Sequence, residues 1–242
     1  LLMRSITLGW GAVLSDAGGA IVDNFQFTDP TQADHSWGRT TDGAATWSLF
    51  QTPTPNAANA GGGPYYTAKP TMNFAAGYYG GAVNVSLAST DAGATIRYTT
   101  NGSEPTAAST AYAGPVNIAT TTVLRAKAFS ANPAVPASFT ETNTYLIGVT
   151  HGVAVLSCSG DQLQTLLNGN GSIEPVGSFE YFGADGVLRD EATGTFNEHG
   201  QDSWAYAQRG FDYVARDQFG YNNGLHYPIF RISDRDEYQR VI

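Results

Sequence analysis

The chain has 242 residues, 12 basic and 21 acidic, for a formal net charge of −9. This length allows two or three small domains, and an acidic balance without a Lys/Arg cluster argues against nucleic acid or anionic membranes as partners. The single cysteine, Cys158, excludes an intrachain disulfide and a CxxC zinc site, and no apolar run reaches the roughly 20 residues of a membrane span. Charged residues make up only 14%, and the abundant Gly, Ser, Thr and Asn favour short strands over long helices, so we predict a mainly β fold.

Residues 1–60 contain short predicted strands separated by polar loops. The strands are expected at 6–10, 19–27 and 45–50. Arg4 followed by an apolar run resembles a signal peptide. Trp10 and two glycines interrupt that run, so we favour a strand. A stretch rich in Pro, Gly, Ala and Asn follows, and we interpret 61–67 as a linker.

The motifs of this first segment resemble the C-terminal half of a lamin-tail domain, an immunoglobulin-like β-sandwich. They are a Val-Asp-x-Phe-x-Phe strand, a Ser-x-Gly-Arg turn, a Trp strand and a Thr-Pro exit, at 22–27, 36–43, Trp47 and 54–59. The family's N-terminal strands are absent from the sequence, which would leave an apolar face and open strand edges. We therefore expect either a fragment or a second chain that supplies the missing strands, with self-assembly through exposed strand edges.

Residues 68–147 form the clearest unit of the sequence. Period-two runs predict strands at 83–87, 95–99, 116–118, 123–129 and 139–147. Short strands repeated at this spacing predict a β-sandwich. The run ATIRYTTNGSEP at 94–105, Tyr112 and the run TVLRAKA at 122–128 resemble the signature of the chitobiase/β-hexosaminidase C-terminal domain. This resemblance implies an immunoglobulin-like spacer or accessory domain that carries no catalytic residues.

Sugar binding is an alternative role for this unit. Tyr78, Tyr79 and Tyr112 are candidates for a glycan-stacking platform, since aromatic rings offer a flat apolar face. The alternative is that these rings pack on the sandwich or at its edge, because aromatics on short strands usually serve the core.

Residues 148–242 predict further strands and one short helix. The strands are expected at 153–157 and 175–182, the helix near 161–167 with Asp161 at its N-cap region, and a turn at 184–186. Between 194 and 220, aromatic residues alternate with acids and arginines. This pattern predicts a β-hairpin with one charged face.

This last region resembles the N-terminal part of the CotH kinase family, in the subset found on bacterial multidomain surface proteins. The matching motif positions are Glu180, Tyr181, Phe182, His199, Gly200, Asp202, Ser203, Trp204, Gln208, Arg209, Arg216, Asp217 and Arg240. The resemblance implies a nucleotide-side sheet in which Gln208, Arg209 and Arg216 face ATP, although Gln208 and Arg209 replace the family's lysine pair. It also implies an extracellular or cell-surface location.

The same resemblance places the family's metal-binding and catalytic Asp residues beyond Ile242. We therefore expect no catalytic residue, no metal site and no ATP turnover in the chain as given, with ATP and Mg²⁺ needed only where the missing kinase half is present. Arg209 and Arg216 have a second interpretation, as partners of Asp202, Asp212 or Asp217 in ion pairs that organise the sheet. His199 also has two interpretations: it is part of a metal or acid/base site, or it is a hydrogen-bonded turn residue.

Taken together, the sequence predicts tandem immunoglobulin-like β-sandwiches followed by a mixed, mainly β, incomplete kinase-like subdomain. The expected function is that of a non-catalytic segment of a secreted or surface CotH-type protein, serving display, assembly or adhesion, with a protein or surface polymer as partner. Two alternatives stay open: an atypical protein kinase completed beyond Ile242 or by another chain, and a carbohydrate-binding accessory module.

Overall fold

A computed structural model describes residues 2–6, 9–27, 30–200, 209–220, 222–230 and 234–242. The chain divides into two compact units, Leu1–Thr31 and Gln32–Ile242. No helix in these ranges is long and apolar enough to cross a membrane. The predicted mainly β fold is confirmed, since the described elements are nineteen strands, one short α-helix and a 3₁₀ turn.

The first unit is a three-stranded antiparallel sheet. Its strands, in spatial order, are β1 (Leu2–Ile6), β2 (Gly9–Ser15) and β3 (Ile21–Gln26). The predicted strand at 6–10 is thus shared between β1, which ends at Ile6, and β2, which begins at Gly9. A turn joins β2 to β3, where Gly19 has φ of 85° and the Asp16 carboxylate accepts a hydrogen bond from the Ala20 N–H at 2.9 Å.

The second unit begins with a hairpin of β4 (Ser36–Arg39) and β5 (Trp47–Phe50). Leu49 on β5 is buried with Tyr66 and Phe139. Leu49 also exchanges two backbone hydrogen bonds with Gly63, at 2.8 and 2.9 Å. Part of the stretch 61–67, which we interpreted as a linker, is therefore packed against the fold.

A β-sandwich follows, as predicted for residues 68–147. Its strands are β6 (Thr71–Met72), β7 (Gly77–Tyr79), β8 (Val83–Val85), β9 (Leu87–Ala88), β10 (Thr95–Thr99), β11 (Thr110–Ala111), β12 (Val116–Ile118), β13 (Thr122–Phe129) and β14 (Glu141–Ile147). One sheet has the order β11-β10-β13-β14-β7, with only β14 and β7 parallel. The pairs β12-β8 and β6-β9 oppose it, and the core between them includes Val85, Ile118 and Leu124.

Strand alternation gives the five-stranded sheet two different faces. On β13, Leu124 and Ala126 enter the sandwich core, while Arg125 between them lies on the opposite face. On β14, Tyr145 enters the core, and Thr144 faces the other way. The sandwich sheet therefore carries a polar face that has to be covered.

A second five-stranded sheet, here called the C-terminal sheet, covers it. Its strands run in the order β15 (Val155–Gly160), β16 (Val176–Phe182), β17 (Leu188–Glu198), β18 (Phe211–Ala215) and β19 (Arg240–Val241), all antiparallel. Helix α1 (Leu163–Leu167) packs on the far side of this sheet, where Leu166 joins a core with Phe179, Phe196 and Tyr213. A 3₁₀ turn at Asp217–Phe219 follows β18.

The predicted hairpin at 194–220 is confirmed over the residues that the structure describes. Strands β17 and β18 pair in register from Gly194 with Ala215 to Glu198 with Phe211. Asp161, predicted in the N-cap region of α1, lies one residue before the cap residue Gln162, which makes no side-chain cap bond. The Asp161 carboxylate accepts the Glu104 N–H at 3.2 Å.

Candidate functional site

The polar face of β14 packs on the face of β16 that points away from helix α1. We call this contact the junction and define it by Thr142, Thr144 and Leu146 on β14, and by Ser178, Glu180 and Phe182 on β16. Residues two apart on a strand share a face, so each strand contributes two polar residues followed by one apolar residue to the contact. The junction is therefore a buried contact between two sheets of the second unit.

Glu180 is the central polar group of the junction. It is 0% exposed, and its two carboxyl oxygens contact the Thr144 N–H at 2.9 Å and the Thr144 hydroxyl at 2.5 Å. The same hydroxyl lies 2.6 Å from the hydroxyl of Ser157 on β15. Burial raises the pKa of Glu180 to about 8, although both Thr144 bonds act in the opposite direction. The raised pKa favours the neutral, protonated form of this carboxyl.

The apolar half of the junction lies beside Glu180. Leu146, Ala76 and Phe182 are buried together, and Tyr78 packs against them. Gly186 has φ of 77°, and a Cβ atom at this position would overlap the Tyr78 ring. Only glycine meets both the backbone and the space requirements of this turn.

A charged network closes one end of the junction. The Arg125 side chain is 1% exposed and contacts the Glu104 carboxylate at 2.7 Å, while Lys127 contacts the same carboxylate at 3.0 Å. Arg125 also donates to the Gly102 carbonyl at 3.2 Å and to the Thr142 hydroxyl at 3.2 Å. Burial acts to raise the pKa of Glu104, but Arg125 and Lys127 outweigh it and the pKa is lowered.

Two cavities flank the junction. The first, of about 200 Å³, is lined by Lys69, Glu141 and Glu191, and Lys69 pairs with Glu141. Burial, with Glu141 beside it, raises the pKa of Glu191 to about 7 against the opposing effect of Lys69. We call this space the acidic cavity.

The second cavity, here called the cleft, has a volume of about 400 Å³. Gln162, Glu174, Gln218 and Phe219 line it. Within the described part of the chain, the side chains of Gln162, Glu174 and Gln218 make no hydrogen bond or ion pair. Gln162 also holds the left-handed conformation, with φ of 61° and ψ of 3°, a geometry that non-glycine residues seldom adopt. The cleft therefore presents amide and carboxylate groups beside two aromatic residues, Phe139 and Phe219.

Two of the predicted nucleotide-binding residues, Arg209 and Arg216, contact different elements of the fold. Arg209 donates to the Leu167 carbonyl at 2.8 Å, and Arg216 donates to the Thr195 hydroxyl at 3.4 Å. The two arginines flank opposite ends of β18, and a strand of this length separates them by roughly 20 Å. Gln208 lies outside the described residues. Nucleotide binding stays a prediction, without a shared position for one phosphate group.

The Asp212 side chain on β18 contacts one of the other motif residues of the hairpin. This buried carboxylate contacts the His199 ring at 2.7 Å and pairs with Arg240. The Asp212 carboxylate thus contacts His199, and its arginine partner is Arg240, whereas the sequence analysis considered Arg209 and Arg216. Gly200 adopts φ of 72° and Asp217 begins the 3₁₀ turn. Asp202, Ser203 and Trp204 lie outside the described residues.

The three tyrosines predicted as a glycan platform lie in separate places. Tyr78 packs in the junction, whereas Tyr79 packs against the sandwich core, because neighbouring residues of β7 point to opposite faces. Tyr79 also donates to the Ala75 carbonyl at 2.7 Å. Tyr112 packs against the sandwich core as well. Glycan stacking by these rings stays a prediction.

Across the ranges that the structure describes, no group of three or more His, Cys, Asp or Glu side chains is placed to share a metal ion. The chemistry of the junction is instead that of buried hydrogen bonds and ion pairs. Sequence reasoning named Glu180 only as a motif position, and it did not place Glu104, Glu180 or Glu191 at a contact between two sheets. The available signal was the alternation Ser178, Glu180, Phe182, which places a glutamate in a row with a large apolar residue.

Comparison with known proteins identifies one part of the chain. Residues 74–140 match the family described as chitobiase/beta-hexosaminidase C-terminal domain. The resemblance stated for residues 68–147 is thus confirmed over that range. Neither the search of curated proteins nor that of solved structures found a match. The matched range includes Glu104, Arg125 and Lys127 but ends before Thr144 and Glu180.

Proposed function

We propose that this chain is a non-catalytic accessory segment in which the chitobiase/β-hexosaminidase C-terminal domain holds the C-terminal sheet in one orientation. The observation that carries the proposal is the buried Glu180 carboxyl, bonded twice to Thr144 across the junction. Separating the sheets would expose the apolar cluster around Phe182 and unpair these groups together. A contact of this kind resists hinge motion.

The wider setting of the proposal is a secreted or cell-surface multidomain protein that serves display, assembly or adhesion. The resemblance of residues 148–242 to CotH-type surface proteins supports this setting. A rigid accessory domain suits this setting, because a displayed domain has to be held in a fixed orientation and does not require an active site. Under the kinase alternative, ATP and Mg²⁺ would be needed only where a second chain or segment supplied the metal-binding carboxylates.

The orientation of the two sheets can be measured by residual dipolar couplings on the isotope-labelled full chain at pH 6. We expect the couplings of β10, β13 and β14 and those of β15, β16 and β17 to fit a single alignment tensor. Two independent tensors would contradict a rigid junction. A parallel phosphate-release assay with Mg²⁺ and ATP tests the non-catalytic part, and metal-dependent turnover would overturn it.

A second function, saccharide binding, is favoured by the cleft. The side chains of Gln162, Glu174 and Gln218 offer donors and acceptors that suit sugar hydroxyls, and Phe219 offers an aromatic wall. Its volume of about 400 Å³ lies within the usual range for small-ligand sites.

A glycan array tests this second function with two matched variants. We expect Phe219→Ala, which removes the cleft wall, to abolish a saccharide signal that Tyr112→Ala leaves unchanged. Loss with Tyr112→Ala alone would move the site to the sandwich. Absence of any signal from the wild-type chain would remove saccharide binding from consideration.

A further inference from the structure

Three glutamates on three strands lie within electrostatic reach of one another beside the junction. They are Glu141 on β14, Glu180 on β16 and Glu191 on β17. Glu180 and Glu191 are direct cross-strand partners, so their side chains share a face of the C-terminal sheet. Lys69, paired with Glu141, is the cation that opposes them in the acidic cavity. Three ionised carboxylates would therefore exceed the positive charge available there.

In the structure the Thr144 hydroxyl donates to one Glu180 carboxyl oxygen at 2.5 Å and lies 2.6 Å from the Ser157 hydroxyl. When Glu180 is protonated this contact can reverse, so that the carboxyl O–H donates to the Thr144 hydroxyl and the Thr144 hydroxyl donates to Ser157. The other carboxyl oxygen accepts the Thr144 N–H at 2.9 Å. The contacts between Glu180 and Thr144 are then kept without a buried charge.

Ionisation of Glu180 keeps two acceptors for Thr144 but places a negative charge in a site from which water is excluded. Taking a carboxylate out of water is costly unless a cation compensates it. The compensating cation of the neighbouring cavity, Lys69, already serves Glu141. Ionisation of Glu191 adds repulsion from the adjacent strand position. The contact between the two sheets must weaken as these groups lose their protons.

We propose that the junction is a proton-sensitive latch, held tightly when Glu180 and Glu191 are protonated and weakened when they ionise. The latch rests on the proposed rigid junction and adds its regulation by pH. The sandwich would then bind the C-terminal sheet tightly in a mildly acidic medium, and the contact between them would weaken in an alkaline medium.

The titratable and charged groups around the latch come from every strand that packs against it. Glu141 and Lys69 face it from the sandwich side, and Asp190 acts on Glu191 from the same strand. Cys158 on β15 and Tyr145 on β14 lie near enough to Glu180 for its charge to raise their pKa values further, beyond the effect of their own burial. Apart from Lys69, these neighbours are acidic or neutral, so they add to the cost of ionisation. The Arg125 and Lys127 side chains at the end of the junction are paired with Glu104.

The direction of the pH effect follows from the two pKa values. Burial raises the pKa of Glu180 from 4.5 to about 8 and that of Glu191 from 4.5 to about 7. A group whose pKa is higher in the folded state stabilises the fold fully below its unfolded pKa. That stabilisation is lost as the pH rises from 4.5 to about 7 for Glu191 and to about 8 for Glu180.

The test compares thermal melting of the full chain between pH 5 and pH 8.5. We expect the wild-type Tm to fall by at least about 4 °C over this range. Gln is the neutral counterpart of protonated Glu, and its amide can accept from the Thr144 N–H and donate to the Thr144 hydroxyl. The Glu180→Gln variant should therefore lose much of this fall, and Glu180→Gln with Glu191→Gln should lose nearly all of it.

The control is Glu237→Gln, which changes an exposed glutamate and should retain the wild-type pH profile. A direct measurement on the unmodified chain is the NMR titration of the Glu180 carboxyl carbon, expected to show a midpoint well above 4.5. A Glu180 midpoint near 4.5, or a double variant with the wild-type pH profile, would overturn the latch and leave the rigid junction standing. Two alignment tensors at pH 6 would instead overturn the rigid junction itself.

Discussion

The carboxyl group of Glu180 accepts a hydrogen bond from the backbone N–H of Thr144 at 2.9 Å, and this bond joins two sheets. Thr144 belongs to the last strand of the sandwich, four residues beyond the range that matches the chitobiase/beta-hexosaminidase family. Glu180 belongs to the sheet that follows. This pair therefore ties a family domain to its neighbour through a bond that lies outside the matched range.

Thr144→Val should destabilise the second unit by about 1 to 3 kcal/mol. The substitution keeps the shape of the side chain but removes the hydroxyl that links Glu180 to Ser157, leaving buried polar atoms unsatisfied. Urea unfolding at pH 6 measures the loss. Thr144→Ser retains the hydroxyl and is the control, and an equal loss in both variants would show that packing, not the hydrogen bond, is responsible.

Arg125→Met should cost about 3 to 5 kcal/mol, because it leaves the Glu104 carboxylate without its buried partner. Arg125 also satisfies the Gly102 carbonyl, which the methionine cannot do. Lys127→Met removes a more exposed partner of the same carboxylate and should cost about 1 kcal/mol or less. Unfolding free energies in denaturant compare the two, and a similar cost for both would contradict the central role given to Arg125.

Protonation of Glu104 should lower the stability of the folded chain as the pH falls into the acid range. Its pKa is lowered by Arg125 and Lys127 despite burial, so its stabilising contribution is present above pH 4.5 and is lost as the pH falls through the folded value. Glu104→Gln should be less stable than the wild-type chain at pH 6 and should show a flatter acid limb. Melting curves from pH 6 to pH 3 give both readings. A wild-type acid limb that survives the substitution would assign the effect to other carboxyl groups.

Gly186→Ala should destabilise the junction by at least about 2 kcal/mol. The new methyl group would overlap the Tyr78 ring, and the backbone at this position has φ of 77°, which disfavours any side chain. Gly80→Ala is a suitable control, since a Cβ atom there meets no other atom within 4 Å. Thermal melting of the two variants should therefore differ by several degrees. Equal melting temperatures would mean that the turn can move away from Tyr78 at little cost.

Local pattern predicted many of the strands closely. Alternation in Thr95–Thr99 and Val116–Ile118 sufficed because each strand has one face in the sandwich core and one outside it. The hairpin around Phe196 and Tyr213 was predicted for the same reason. The predicted strand at 83–87 is divided at Ser86 between β8 and β9, where the Ser86 N–H donates to the Asn73 side chain at 2.7 Å.

The candidate site was harder to predict from the sequence. Arg209 and Arg216 are close in sequence and alike in chemistry, yet an extended strand separates them. Tyr78 and Tyr79 are adjacent, and that adjacency is the reason they face opposite sides of β7. Neighbouring positions in a strand are a poor guide to a shared binding surface.

The amino-acid sequence by itself determined that the chain forms short strands, and its ATIRYTTNGSEP and TVLRAKA motifs sufficed to indicate the domain family later matched at residues 74–140. Only the tertiary structure decided what covers each strand face. Alternation shows that Ser178, Glu180 and Phe182 share a face, but a glutamate on a strand is ordinarily solvated. Glu180 is buried and its pKa is raised because the outer face of the sandwich sheet closes over it and removes water, a long-range contact that no local pattern encodes.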